Sequence, residues 1–146
     1  MAKRKGQRHP PKLRVLVISQ NPLKFAVTGA RPLTSNQSTG RNRYVVAKQV
    51  ALWRKAVADT SFLSSSFPLR PAHIVAQPVY FNMRSRPDTG AAHPTVKAIV
   101  DGLVDAGAWP DDNPDYVSRI THLPPVMCHN SGDGIIIEVV EVREKD

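Results

Sequence analysis

The chain has 146 residues and a formal net charge of +8 at pH 7, from 20 lysines and arginines against 12 aspartates and glutamates. This length fits one domain with a hydrophobic core. No apolar run approaches the ~20 residues that a membrane-spanning helix needs, and no signal-peptide pattern follows the basic start. The single cysteine, Cys128, excludes an intrachain disulfide, so we expect a cytoplasmic protein in a reducing compartment.

The positive charge is concentrated at the start of the chain. Residues 1–14 contain no acidic side chain and supply +6 of the +8, from Lys3, Arg4, Lys5, Arg8, Lys12 and Arg14. Residues 1–12 are polar and contain Pro10-Pro11, so we predict a disordered basic arm before a domain at 13–146. Such an arm attracts polyanions through counterion release, although basic tails also serve simply for solubility.

Apolar periodicity predicts the elements of the first half. A β-branched run predicts a strand at Leu13–Ser19, and residues 24–29 could form a second strand. A helix is predicted at 44–58, where one apolar stripe consists of Val46, Val50, Trp53 and Val57. Its Trp53 is expected to pack in the core rather than to stack on a base. Residues 61–70 are predicted to be a loop.

A polar loop is predicted at residues 30–43, between the second strand and the first helix. It contains Arg31, Arg41 and Arg43. Such a loop can bind phosphate groups through its side chains and backbone N–H groups. It can equally be an ordinary surface connection, and the sequence leaves both interpretations open.

The second half predicts further strands around one helix. Residues 71–83 read as a strand, in which Pro78 favours an edge position or a bulge. A helix begins at His93-Pro94 and ends near Gly107. Strands follow at 116–123 and 135–142. Together the elements predict one small α/β (α+β) domain, with a mixed sheet packed with two main helices.

Half of the acidic side chains lie in residues 84–116, namely Asp88, Asp101, Asp105, Asp111, Asp112 and Asp115. Carboxylates are the ligands that Mg²⁺ prefers, and metal-bound water can attack a phosphodiester. Asp101 and Asp105 fall opposite the apolar face of the helix, so they are expected to form ion pairs on a solvated surface. Lys97 lies nearer the loops and is the better functional candidate.

The spacing permits Asp88 and Asp111–Asp112 to meet, but it does not require them to. A helix of about 13 residues spans ~20 Å, whereas five extended residues reach ~17 Å, so the chain after the helix can run back along it. The segment 110–114 (PDDNP) is also a good turn sequence.

The run at 94–107 (PTVKAIVDGLVDAG), with 109–112 (WPDD), resembles the signature of RusA-type Holliday-junction resolvases, many of them carried by phages. The resemblance is close over this stretch and looser elsewhere, for example at Pro32 to Asn36. It implies a RusA-like nuclease domain and a homodimer that resolves four-way DNA junctions with Mg²⁺, or with Mn²⁺, in DNA recombination and repair.

Carried onto this chain, the resemblance implies catalytic roles for Asp88, Lys97, Asp111 and Asp112. The three aspartates would bind the metal, and Lys97 would stabilise the scissile phosphate. The chain departs from the family at Ala91 and His93, where the commoner form has aspartates. His93 is a candidate substitute ligand or general base, and the alternative is that it only caps or packs the helix. The expected DNA contacts are Lys3, Arg4, Lys5, Arg8, Arg41, Arg43, Arg84 and Arg86.

Two alternatives follow from the same residues. Because Ala91 cannot act as the expected ligand, one alternative is a catalytically weakened protein that binds junctions without cutting them. The other alternative is a small scaffold that binds nucleic acid only through its basic arm. The remaining histidines, His73, His122 and His129, show no metal-ligand spacing.

Overall fold

The computed structural model describes residues 12–36, 43–82, 87–130 and 132–142. Within these ranges a six-stranded sheet forms from β1 (Arg14–Gln20), β2 (Leu23–Thr28), β3 (Ala72–Tyr80), β4 (Val117–His122), β5 (Val126–Met127) and β6 (Gly134–Glu141). The helices include α1 (Arg43–Ala58), α2 (His93–Asp105) and a 3-10 helix at Ser61–Ser66. No helix in the described ranges is long and apolar enough to cross a membrane.

The strand order is β1-β2-β6-β3-β4, with β5 beside β3. The pairs β1–β2, β2–β6 and β6–β3 are antiparallel, whereas β4 and β5 run parallel to β3. The connection from β3 to β4 contains α2, in keeping with the long crossover that parallel strands need. The predicted α+β domain with a mixed sheet and two main helices is confirmed. The predicted arm lies outside the described residues except for Lys12.

Alternate residues of the central strands enter one hydrophobic core with the helices. Phe25, Val27, Ile74, Ile135 and Ile137 are fully buried. The apolar face predicted for α2 is confirmed, since Val96, Ile99, Val100 and Leu103 are at most 1% exposed. The core position predicted for Trp53 is also confirmed. The stripe predicted for α1 is buried at Trp53 and Val57 but only partly buried at Val46 and Val50.

The two main helices pack closely where α2 contains Gly102. A β-carbon at this position would lie 2.5 Å from the carbonyl oxygen of Arg54 and 2.9 Å from Cβ of Val57, both on α1. The same interface carries an ion pair in which Nε of Arg54 lies 2.6 Å from a carboxylate oxygen of Asp105. Glycine therefore sets the distance between α1 and α2.

The sequence predicted an edge position or a bulge at Pro78, but the structure places this residue on an inner strand of the sheet. It belongs to β3, which is flanked by β6 and by β4 and β5. The carbonyls of Ala76 and Tyr80 accept hydrogen bonds from Leu123 and Cys128. Backbone groups point to the same side of a strand at every second residue, so those of Pro78 face the same side as those of Ala76 and Tyr80. On that side Pro78 lies at the gap between β4 and β5. Its missing N–H therefore costs the sheet no hydrogen bond.

The segment predicted as a loop at 61–70 contains the 3-10 helix. Leu63 in this helix is fully buried and anchors the segment to the core. The hydroxyl of Ser65 donates to the carbonyl of Phe62 at 3.2 Å. The serine-rich composition predicted a loop because serine side chains favour turns. The same side chains can also donate to carbonyls three residues earlier, as Ser65 does here.

Thr95 is a buried polar residue whose loss should measurably destabilise the fold. It is 1% exposed, and its hydroxyl donates to the carbonyl of Leu33 at 2.9 Å. We expect Thr95→Val to lower the free energy of unfolding by about 1–2 kcal/mol, because it leaves that carbonyl without its donor. Urea denaturation measures the change. The exposed Thr89→Val is the control, with an expected change within about 0.5 kcal/mol, and equal effects would contradict the assignment.

Candidate functional site

One side of α2 carries the polar residues around which the candidate site is built. His93, Lys97 and Asp101 follow one another at intervals of four residues, so they line the same side of the helix. The opposite side is buried in the core. The Lys97 side chain is 48% exposed and that of Asp101 is 26% exposed. This side of α2 is therefore accessible to a ligand.

The chain returns along α2 after the helix ends. Gly107 adopts a φ of 99°, which favours glycine and turns the chain back. Ala108 and Trp109 are buried. The indole N–H of Trp109 donates to the carbonyl of Arg70 at 2.9 Å, and the N–H of Leu69 donates to the carbonyl of Ala108 at 2.8 Å. Trp109 is thus a core residue, and its anchoring directs the following aspartates toward the middle of α2.

Lys97 joins both acidic segments. Its Nζ donates to Oδ1 of Asp101 at 2.8 Å, and it also donates to Oδ2 of Asp112. The Asp112 side chain is 28% exposed. We call Lys97, Asp101 and Asp112 the lysine–carboxylate cluster. The resemblance assigned roles to Lys97 and Asp112, and the structure brings them into contact and adds Asp101.

The electrostatics of the lysine–carboxylate cluster follow from these contacts. Partial burial by itself lowers the pKa of Lys97, but the hydrogen bonds and charges of Asp101 and Asp112 outweigh it, so the pKa is raised. The hydrogen bond from Lys97 lowers the pKa of Asp112 against the opposite effect of burial. At neutral pH one ammonium faces two carboxylates, and the cluster carries a net charge of −1.

The carboxylate of Asp111 accepts hydrogen bonds from its neighbours in the loop after α2. One oxygen accepts the backbone N–H of Asp112 at 2.8 Å, and the other accepts the side-chain amide of Asn113 at 3.1 Å. Asn113 in turn accepts the N–H of Asp115 at 2.9 Å. Asp111 therefore shapes the turn that presents Asp112. Its predicted role as a metal ligand stays a prediction.

Asp88 lies in the exposed turn before α2, where its carbonyl accepts the N–H of Ala91 at 3.0 Å. Among the described residues, no three or more His, Cys, Asp or Glu side chains are grouped so that they could hold a metal ion. Asp88, Asp111 and Asp112 therefore do not form a ready three-ligand group in this structure.

His93 meets a histidine that sequence spacing did not single out. Its Nδ1 lies 3.2 Å from Nε2 of His122, and the two rings meet edge to face with centroids 5.2 Å apart. Burial, followed by the neighbouring His93, lowers the pKa of His122. The two residues are 29 positions apart. Only the packing of α2 against the end of β4 joins them, so no local signal could have revealed the pair.

Asp105 lies outside the lysine–carboxylate cluster. Arg54 donates to its two oxygens at 2.6 and 2.9 Å and lowers the pKa of its carboxyl group. The expectation that Asp101 and Asp105 form ion pairs is confirmed. Asp101 pairs within α2, whereas Asp105 pairs across to α1.

The predicted DNA contacts fall mostly outside the described residues. Arg43 is exposed at the first position of α1. Those beyond the described ranges are Lys3, Arg4, Lys5, Arg8, Arg41, Arg84 and Arg86. Arg31, from the polar loop, lies over the ring of Tyr80 at 4.7 Å from its centroid.

The protein is a small α+β domain in which two carboxylates pair with one lysine on the accessible side of α2. Neither a model of a known protein family nor any curated protein matches the chain.

Proposed function

We propose that this protein is a Mg²⁺-dependent, structure-specific endonuclease that resolves four-way DNA junctions by phosphodiester hydrolysis. The observation that carries the proposal is the contact between Lys97 and Asp112. These are the two positions that the RusA-type resemblance assigns to the catalytic lysine and to the metal-binding aspartate after the helix. They lie 15 residues apart in the chain, and the return of the chain along α2 brings them together.

The charge of the lysine–carboxylate cluster supports a cation requirement. A cluster of net charge −1, next to the further carboxylate of Asp111, repels a DNA phosphate until a cation neutralises it. Mg²⁺ is often held by only one or two carboxylates with water and substrate phosphate, so Asp101 and Asp112 fit it, with Mn²⁺ as the alternative. When bound, such an ion stabilises charge on the phosphate and lowers the pKa of a water nucleophile.

Lys97 is suited to hold the scissile phosphate. An ammonium has three N–H donors, and two of them go to Asp101 and Asp112. Among the contacts of the described residues, one donor is left for a non-bridging phosphate oxygen. Asp101 is a candidate cation ligand, and its hydrogen bond also fixes the direction of the Lys97 side chain. The developing negative charge in the transition state would strengthen the Lys97 contact.

The proposal includes a homodimer in the cytoplasm. A four-way junction offers two symmetry-related strands, and a two-fold dimer presents two equivalent sites to them. The basic residues at 1–14, with Arg84 and Arg86 just before Asp88, supply the phosphate contacts that hold the DNA backbone. These contacts position the junction, while its branched shape determines where it is cut.

A junction-cleavage assay tests this function. The full chain is incubated with a synthetic four-way junction and, separately, with a linear duplex of one arm, each with Mg²⁺ or with EDTA. We expect paired, symmetric nicks in the junction with Mg²⁺ only, and no cutting of the duplex. Equal cutting of both substrates would contradict structure specificity, and cutting in EDTA would contradict the metal requirement.

A junction-binding protein without nuclease activity is the second candidate. Ala91 supports it, because the family has a ligand there, and so does the pairing of both cluster carboxylates with Lys97. The same assay separates the candidates when gel-shift binding is measured beside it. Tight, junction-selective binding without nicks in Mg²⁺ or Mn²⁺ would favour the second. If the full chain neither nicked the junction nor bound it more tightly than the duplex, and deletion of residues 1–14 removed all binding, the protein would instead be a basic nucleic-acid-binding scaffold.

A further inference from the structure

A pair of imidazoles lies one helical turn from the lysine–carboxylate cluster. His93 is the first residue of α2, and His122 is the last residue of β4. The facing nitrogens, Nδ1 of His93 and Nε2 of His122, are 3.2 Å apart, and the ring planes are inclined by 73°. We call these two residues the histidine pair.

The distance between the two nitrogens matches that between two ligands of one metal ion. Zinc binds imidazole nitrogen at about 2.0–2.1 Å, so two nitrogens on a tetrahedral zinc lie about 3.3 Å apart. Neighbouring ligands on an octahedral ion lie closer, at about 2.9 Å for the same bond length. The observed 3.2 Å falls between these values.

The backbone holds both histidines in place. The N–H of His93 donates to the carbonyl of Gly90 at 3.1 Å, and Gly90 turns the chain with a φ of 84°. His122 pairs with Ala76 in the register of β3 and β4, and the next N–H, of Leu123, donates to the carbonyl of Ala76 at 2.9 Å. A pair anchored on a helix and on a strand loses little freedom when an ion binds.

We infer that the histidine pair is a binding site for a borderline transition-metal ion such as Zn²⁺ or Co²⁺. Imidazole nitrogen suits these ions, whereas Mg²⁺ prefers oxygen ligands. The pair supplies two ligands, and water fills the remaining positions. The site is distinct from the Mg²⁺ proposal, and it stands whether or not the protein cuts DNA.

Burial, followed by the neighbouring His93, lowers the pKa of His122, which favours the neutral imidazole that binds metal. The positive end of the helix dipole at the start of α2 weakens attraction for the ion itself, so we expect moderate rather than tight affinity. Lys97, one turn further along α2, is already paired with two carboxylates.

Metal titration of the full chain, prepared without a polyhistidine tag and without DNA, tests this inference. Isothermal titration calorimetry with Zn²⁺, in excess Mg²⁺, is expected to show saturable binding of one ion per chain. The imidazole ¹⁵N signals of His93 and His122 should shift together during the titration. His93→Gln and His122→Gln should each weaken binding by at least about tenfold.

His129→Gln is the matched control, because His129 is exposed and packs against Phe81, away from the pair. It should bind Zn²⁺ as the unaltered protein does. Thermal unfolding in EDTA checks that each variant is folded. The inference is overturned if binding is not saturable, or if folded His93→Gln and His122→Gln proteins bind as tightly as the unaltered chain. The histidine pair would then be only two hydrogen-bonded imidazoles.

Discussion

Asp112→Asn is expected to slow junction cleavage by a factor on the order of 10³ while leaving junction affinity nearly unchanged. The substitution keeps the size of the side chain but removes the charge that faces Lys97. It also removes one of the two carboxylates that fit a divalent cation. Junction affinity depends mainly on phosphate contacts made by basic residues elsewhere, so it should persist. Single-turnover cleavage and gel-shift binding on the same four-way junction measure the two quantities.

Asp59→Asn provides the matched control for this loss. Asp59 is also a carboxylate paired with a lysine, since its oxygen lies 2.7 Å from Nζ of Lys55 on exposed α1 surface. Its removal should leave both cleavage and binding within about twofold, because an exposed pair contributes little. If Asp112→Asn cuts the junction as fast as Asp59→Asn does, Asp112 is not part of the catalytic machinery and the proposed nuclease site is wrong.

Gly102→Ala is expected to lower the free energy of unfolding by about 2–3 kcal/mol, a large effect for one methyl group. Alanine favours helices over glycine by about 1 kcal/mol, so a surface position would gain stability instead. At Gly102 the new β-carbon meets the backbone of α1 at Arg54, which cannot move as a side chain can. The two helices must separate, and the buried contacts of Val57 with α2 are strained. Urea or thermal denaturation measures the change.

Gly107→Ala is the control that distinguishes the steric clash at Gly102 from the effect on stability of replacing a glycine where there is space for a side chain. Gly107 has a φ of 99°, but apart from its chain neighbours no atom of the described residues lies within 4 Å of a β-carbon built there. We expect a cost of about 1 kcal/mol from backbone strain alone. If Gly102→Ala is no more destabilising than Gly107→Ala, the close approach of α1 and α2 does not require glycine.

Much of the fold could be predicted because the signals are local. Alternating apolar residues marked the strands, and a stripe at helical spacing marked the buried face of α2. Each pattern reports which side of one element avoids water, and this depends on neighbours in sequence. Pro78 was misassigned for the same reason. A proline removes a hydrogen bond from a β-ladder only on the side of the strand that its backbone faces. Whether a neighbouring strand needs a hydrogen bond there depends on the positions of β4 and β5, which the local sequence does not give.

In the candidate site, too, some features follow from the local sequence and others only from the tertiary structure. The sequence by itself determined the basic charge of residues 1–14, the acidic stretch and the resemblance that selected Lys97 and Asp112. The tertiary structure decided which partners each charge has. It placed Asp101 beside Lys97, paired Asp105 with Arg54, and brought His122 to His93. These contacts depend on strand register and helix packing, which join residues far apart in the chain, and no spacing rule within one segment encodes them.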